Sequence, residues 1–186
     1  MYQYFLMLLF TITGVSLASS VKIVRQGDEA LVEIFGKYDG KKLDPGLTFL
    51  IPFIEQVAYK ETLREQILNL QPQQCTTRDR RAVMVEFIVY WRVIDLEKAC
   101  YKVQNLKEAM LNMLLLSIRT QIAQLSVEEL YTARTEINNA LVEELDTITD
   151  PWGVKFTRVE LRNFSIGSQV VQTASLEQKQ VQKARV

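Results

Sequence analysis

The chain predicts an α+β domain held behind an apolar amino-terminal segment. Three observations carry this. The first 21 residues hold no charged side chain. Residues 22–93 alternate apolar and polar side chains in the manner of strands, and from Asp95 the apolar spacing changes to three and four. Strands first, helices next and a returning strand at the end give α+β rather than alternating α/β.

The uncharged head, residues 1–21, is long enough as a helix to span about 31 Å, close to the thickness of a bilayer's hydrocarbon core. Phe5, Leu9, Ile12 and Leu17 are among its apolar residues and are the expected lipid contacts. Tyr2 and Tyr4 suit one interface, Lys22 and Arg25 the other. Two rival readings are a buried core helix and a cleaved signal peptide. The absence of any polar face argues against the first. Against the second stands the lack of Lys or Arg before the apolar run, although Ser16, Leu17 and Ala18 have small-x-small spacing. The head therefore reads as a retained single-pass anchor. Lys22, Arg25, Lys37, Lys41 and Lys42 follow it, which predicts the body on the cytoplasmic side.

In the body, residues 30–35 read as a short apolar strand ending at Gly36. Residues 41–46 read as a turn, because Pro45 fixes its φ and Gly46 tolerates a reversed one. Residues 56–63 and 65–70 read as further strands. Residues 82–93 are the longest, with Val83, Val85, Phe87, Val89, Trp91 and Val93 on one face. A short helix is expected over 95–101 and a longer one over 106–123. Ser126 and Glu129 have capping-box spacing and open a helix expected to run to Thr149, stopped by Asp150 and Pro151. A strand over 153–161 follows. The polar, Gln-rich tail reads as the start of a helix. The domain division is thus 1–21 anchor, 22–163 folded domain and 164–186 helical stub.

Composition narrows the function. The 186 residues carry 22 basic and 22 acidic side chains and no His, which excludes imidazole catalysis and most zinc sites. Zero net charge gives no reason to expect nucleic acid. Cys75 and Cys100 lie far from the anchor and lack a His base, so they read as buried thiols. Ser19 and Lys22 match a bare Ser-x-x-Lys spacing without its partner motifs. Gly36 and Gly40 match neither a phosphate loop nor a dinucleotide fingerprint. No catalytic, cofactor-binding or metal-binding residue is expected, and no small-molecule substrate.

Residues 47–54 form an apolar run with one hydroxyl. It reads either as a buried strand with Pro52 at an edge or bulge, or as a loop dipping into the bilayer through Phe49 and Phe53. The acidic helix with Glu143 and Glu144, set against Arg158, Arg162, Lys179 and Lys183, offers head-to-tail contacts that can close a ring.

Several segments resemble the stomatin/prohibitin/flotillin (SPFH, band 7) superfamily, most closely its prokaryotic stomatin-like branch. They are Gln26–Gly27; Phe35, Gly36, Lys37 and Tyr38; Leu43, Asp44, Pro45, Gly46 and Leu47; and Leu50, Ile51, Pro52, Phe53 and Ile54. Leu63, Arg64, Glu65 and Gln66 follow, then Tyr90, Trp91, Arg92 and Val93, and Ser126, Val127, Glu128, Glu129 and Leu130 with Arg134. The most specific is Asp150, Pro151, Trp152, Gly153 and Val154, followed by Arg158, Val159 and Glu160. The resemblance implies an SPFH domain that self-associates into rings or cages, organises membrane microdomains and regulates membrane proteases or channels without catalysis of its own. The alternative is a monomeric or dimeric adaptor for a single membrane-bound protease. The sequence departs from the pattern at Asp79, Arg80 and Arg81, in a head without Pro, and in a Gln-rich tail where the family carries a long coiled coil. The short tail favours the adaptor more than the family pattern does.

Overall fold

Residue alternation over Ala82–Val93 organises the molecule: every odd position from Val83 to Val93 is buried. The computed structural model describes residues 20–166, together with Tyr2, Gln3, Tyr4 and Met7. Among the described residues nine strands run in order: β1 (Val21–Val24), β2 (Asp28–Ile34), β3 (Lys37–Leu43), β4 (Gly46–Phe49), β5 (Glu55–Thr62), β6 (Gln66–Asn69), β7 (Gln73–Thr76), β8 (Ala82–Val93) and β9 (Val154–Ile166). Between β8 and β9 lie α1 (Leu96–Tyr101), α2 (Leu106–Gln124), α3 (Val127–Thr132), α4 (Arg134–Thr149) and a 3₁₀ turn at Asp150–Trp152. This is the α+β order expected.

The strands form three antiparallel groups: β1 with β4, β3-β2-β5, and β8 flanked by β6, β7 and β9. β9 pairs β8 along its whole length, while β6 and β7 pair with opposite halves of it. The main core lies where the odd face of β8 meets Met110, Leu114, Ile118 and Ile122 of α2, Ile137, Leu141 and Leu145 of α4, and Phe156 and Val159 of β9. A smaller core of Val24, Ala30, Val32, Leu43 and Leu50 holds the amino-terminal sheets together. Leu31 and Tyr38 reach from this half into the main core. Tyr101 donates to Glu33 at 2.8 Å, and its ring meets those of Tyr38 and Tyr59.

Four local readings change. Residues 41–43 belong to β3 rather than to a turn, because β2 supplies ladder partners for Leu43 and Lys42. β1 and β7 are four-residue strands too short to show a period. The helix expected from Ser126 to Thr149 breaks at Ala133, where φ is −99° and ψ 28°. Around the break, the Tyr131 ring meets Phe164 edge-on at 4.4 Å and the Arg134 guanidinium lies over the same ring. The returning strand runs past 161 to Ile166.

The turn that carries the departure at Arg80 and Arg81 positions α3 through its other residues. Asp79 accepts from the Val127 amide and Arg78 reaches Glu129 at 3.0 Å, so the β7–β8 turn holds the start of α3. There Ser126 and Glu129 form the expected capping box. Ser126→Ala removes one half of it and is expected to cost about 1 kcal/mol of unfolding free energy, measured by urea titration. The Ser126 amide and hydroxyl hold the Glu129 carboxyl below its ordinary range. Its contribution is therefore present above the ordinary glutamate pKa and fades as pH falls through the lowered folded value. Glu129→Gln flattens that part of the stability profile.

Among the described residues no helix is long and apolar enough to cross a membrane. Phe5, Leu9, Ile12 and Leu17 of the expected anchor lie outside the described residues, as does the tail from residue 167. Val21, placed at the anchor's end, is the first residue of β1.

Candidate functional site

The register of β1 on β4 builds an apolar surface. Val21 faces Phe49 and Ile23 faces Leu47 across the ladder. Directly opposed residues share a face, and i and i+2 on one strand do likewise. Val21, Ile23, Leu47 and Phe49 therefore lie together, and all four are exposed, Phe49 by 67%. Val24, on the alternate face, is buried in the smaller core.

The chain then turns back. Leu50 goes inward, while Ile51, Phe53 and Ile54 stay outside. Phe53 is 90% exposed and sits at φ 67°, a left-handed conformation rare for a large side chain. The turn is held around it. The Glu55 amide donates to the Ile51 carbonyl at 2.9 Å, and the Glu55 carboxylate accepts from the Ile51 amide at 2.8 Å and from Lys41 at 2.6 Å. Those two donors, Lys41 foremost, hold the Glu55 carboxyl below its usual range. Phe35, also strongly exposed, is tied in by its amide to the Ile54 carbonyl at 3.1 Å.

Of the two readings of residues 47–54, the buried strand accounts for Leu50 alone. The rest is an exposed strand and an exposed turn. Phe49 and Phe53 are both exposed, and so are Val21, Ile23, Phe35, Leu47 and Ile51. The sequence signal for Val21 and Ile23 was an alternation only four residues long. The surface also has a fixed relation to the chain upstream: the Leu50 amide donates to the Ser20 carbonyl at 2.8 Å, and the Ser20 hydroxyl donates to the Leu50 carbonyl. It thus adjoins the point where the expected anchor ends.

The residues expected to meet between subunits lie elsewhere. Glu143 and Arg158 line one cleft of about 440 Å³ between α4 and β9. Glu144 accepts from the Ser117 hydroxyl at 2.9 Å and from Gln121 at 3.1 Å. Arg162 reaches Glu86 at 3.2 Å, and Arg158 reaches Glu160 at 3.3 Å while stacking over Tyr90. Lys179 and Lys183 lie outside the described residues. Along the same side, the Phe156 amide donates to Asp146 at 3.0 Å and the Leu161 amide to Asn138 at 3.1 Å.

Neither thiol has the marks of a nucleophile. Burial raises both, Cys100 to about 11 with a smaller push from Glu61.

Comparison with known proteins agrees with the fold. The model of the SPFH domain / Band 7 family matches residues 22–186. A stomatin homolog of Pyrococcus horikoshii is 34% identical over 172 residues, covering 91% of this chain and 64% of its own. A protein of Methanothermobacter thermautotrophicus is 33% identical over 160 residues, covering 86% of this chain and 50% of its own. The human mitochondrial stomatin-like protein 2 is 25% identical over 165 residues, 89% of this chain and 46% of its own. The chain therefore spans between about half and two thirds of these relatives' length. With a family model matched across nearly all of its folded part and stomatin homologues among its relatives, the chain belongs to the SPFH domain / Band 7 family.

Proposed function

We propose that the chain is a membrane-anchored, self-associating scaffold that organises its surrounding bilayer and regulates neighbouring membrane proteins, a protease or channel, without catalysis of its own. The anchor lies within the first 20 residues, residues 21–166 are the SPFH domain on the cytoplasmic side, its ends moved by β1 and β9 from the expected 22 and 163, and the start of a helix follows. The observation that carries this is the exposed apolar side chains on either side of Leu50, whose backbone is bonded to Ser20. Exposed apolar side chains gathered on one face, as Val21, Ile23, Leu47 and Phe49 are, mark an interaction or membrane surface. Here it adjoins the exit of a segment apolar enough to span a bilayer, so anchor and patch address the same surface. Membership of a family that includes stomatin homologues supports the same reading.

The particle mass of the full chain, extracted in mild detergent and measured by light scattering, tests self-association. Many subunits per particle are expected. A monomer or dimer overturns the scaffold and leaves an adaptor for one membrane protease. Alkaline carbonate washing tests the anchor; a full-length chain released from vesicles removes it.

A further inference from the structure

A cavity of about 520 Å³ opens between β5, β8 and the α1–α2 junction, apart from the membrane-facing surface. That volume falls within the range of roughly 300–1,000 Å³ typical of small-molecule sites. At roughly 30 Å³ per water-sized group, it holds on the order of 17 heavy atoms.

Part of its lining is apolar. Trp91, Val93, Leu96 and Ala99 line it, all buried in the main core. Its rim is cationic. Lys60, Lys102 and Lys107 belong to the lining against one carboxylate, Glu61. Lys60 is taken up by Asp28 at 3.5 Å. Among the described residues no carboxylate comes within 4 Å of Lys102 or Lys107, and both are exposed. Asn105, the N-cap of the 19-residue α2, borders the same opening, so the positive end of that helix adds to the field. Burial of the Cys100 thiol, which also lines the cavity, agrees with an apolar interior.

An apolar lining with two uncompensated cations selects one kind of ligand: a hydrocarbon chain with a single anionic head. The volume is too small to take up both chains of a phospholipid. We propose that this cavity binds a free medium-chain fatty acid, its chain over Trp91 and Leu96 and its carboxylate between Lys102 and Lys107. This site is independent of the scaffold reading.

Trp91 reports on its own site. In Trp152→Phe, Trp91 is the remaining tryptophan. The full-length variant, in phosphatidylcholine nanodiscs, is titrated with decanoate and, separately, with decylammonium. Decanoate is expected to give a saturable change in Trp91 emission and to slow maleimide alkylation of Cys100 in a Cys75→Ala background. Decylammonium is expected to bind at least about tenfold more weakly, and Lys102→Glu with Lys107→Glu to weaken decanoate by a similar factor, the scale of a lost charge-assisted hydrogen bond. The milder pair Lys102→Gln with Lys107→Gln provides the same readout if the reversal disturbs the fold. Four results overturn the proposal: no saturation with decanoate, equal binding of both amphiphiles, binding unchanged in both lysine variants, or the same Trp91 change from phosphatidylglycerol nanodiscs alone, which assigns the site to bilayer lipid.

Discussion

Serine at both Phe49 and Phe53 lowers the partitioning of a chain lacking residues 1–19 onto lipid vesicles by about a hundredfold. The size follows from transfer energies. Fully burying one Phe side chain is worth roughly 1.5–3 kcal/mol. The two are already 67% and 90% exposed in the folded protein, so nearly all of that gain is still available to a lipid surface. Interfacial insertion is shallower than full burial, which places the pair near the bottom of the range, at about 3 kcal/mol or two decades of affinity. Neither side chain contributes to a buried core, and the unfolding free energy stays within the roughly 0.5 kcal/mol usual for surface substitutions. Vesicle sedimentation with tryptophan detection reads the first quantity and urea titration the second. A folded double variant that partitions like the parent removes the surface from membrane binding.

Gly153→Ala costs at least about 3 kcal/mol, a large share of the 5–15 kcal/mol that holds a domain together. Gly153 closes the 3₁₀ turn at φ 67°, in the left-handed region, where any other residue is penalised by roughly 1–2 kcal/mol. The added methyl has nowhere to go: an ideal Cβ there lies 2.4 Å from the Asp95 carbonyl oxygen and 2.8 Å from the Asp95 Cβ. Both neighbours are fixed. The Ile94 and Asp95 amides donate to the Gly153 carbonyl at 2.9 and 3.0 Å, and the Asp95 side chain caps α1 through the Glu97 and Lys98 amides. Relief of the clash therefore disturbs the end of β8, the start of α1 and the entry to β9 together. Urea titration of the full chain measures the loss, and a variant as stable as the parent contradicts this account.

The two positions differ in how far the sequence discloses them. Asp150, Pro151, Trp152 and Gly153 read as a helix stop and a turn, because Pro and Gly act locally. Nothing local announces that Gly153 is wedged against Asp95, a contact between residues 58 positions apart. The same divide runs through the fold. β8 is legible because one face is dry along twelve residues, so burial writes its period into the chain. β1 and β4 are four residues each, and their shared exposed face exists only through the pairing of Val21 with Phe49 and Ile23 with Leu47. The break at Ala133 falls on a good helix former with no Gly or Pro beside it. Contacts of Tyr131 and Arg134 with Phe164 surround it, and all of them are tertiary. Phe49 and Phe53 were legible as apolar residues after a Pro-Gly pair; Phe35 was not, because its bond to Ile54 lies across a strand pairing. Glu144 and Arg162 illustrate the converse. A charge pattern identifies acidic and basic residues but not that each already has a partner within its own chain.

The amides of Phe156 and Leu161 on β9 are each held by a side chain of α4. Molecules gathered densely on one lipid sheet meet one another far more often than molecules free in solution, and a long uncovered strand margin in such a crowd seeds amyloid-like stacking. With Asp146 and Asn138 occupying two of the donors a newcomer needs, that margin is a poor template. Two fewer free donors on β9 make edge-to-edge stacking of neighbouring copies less favourable.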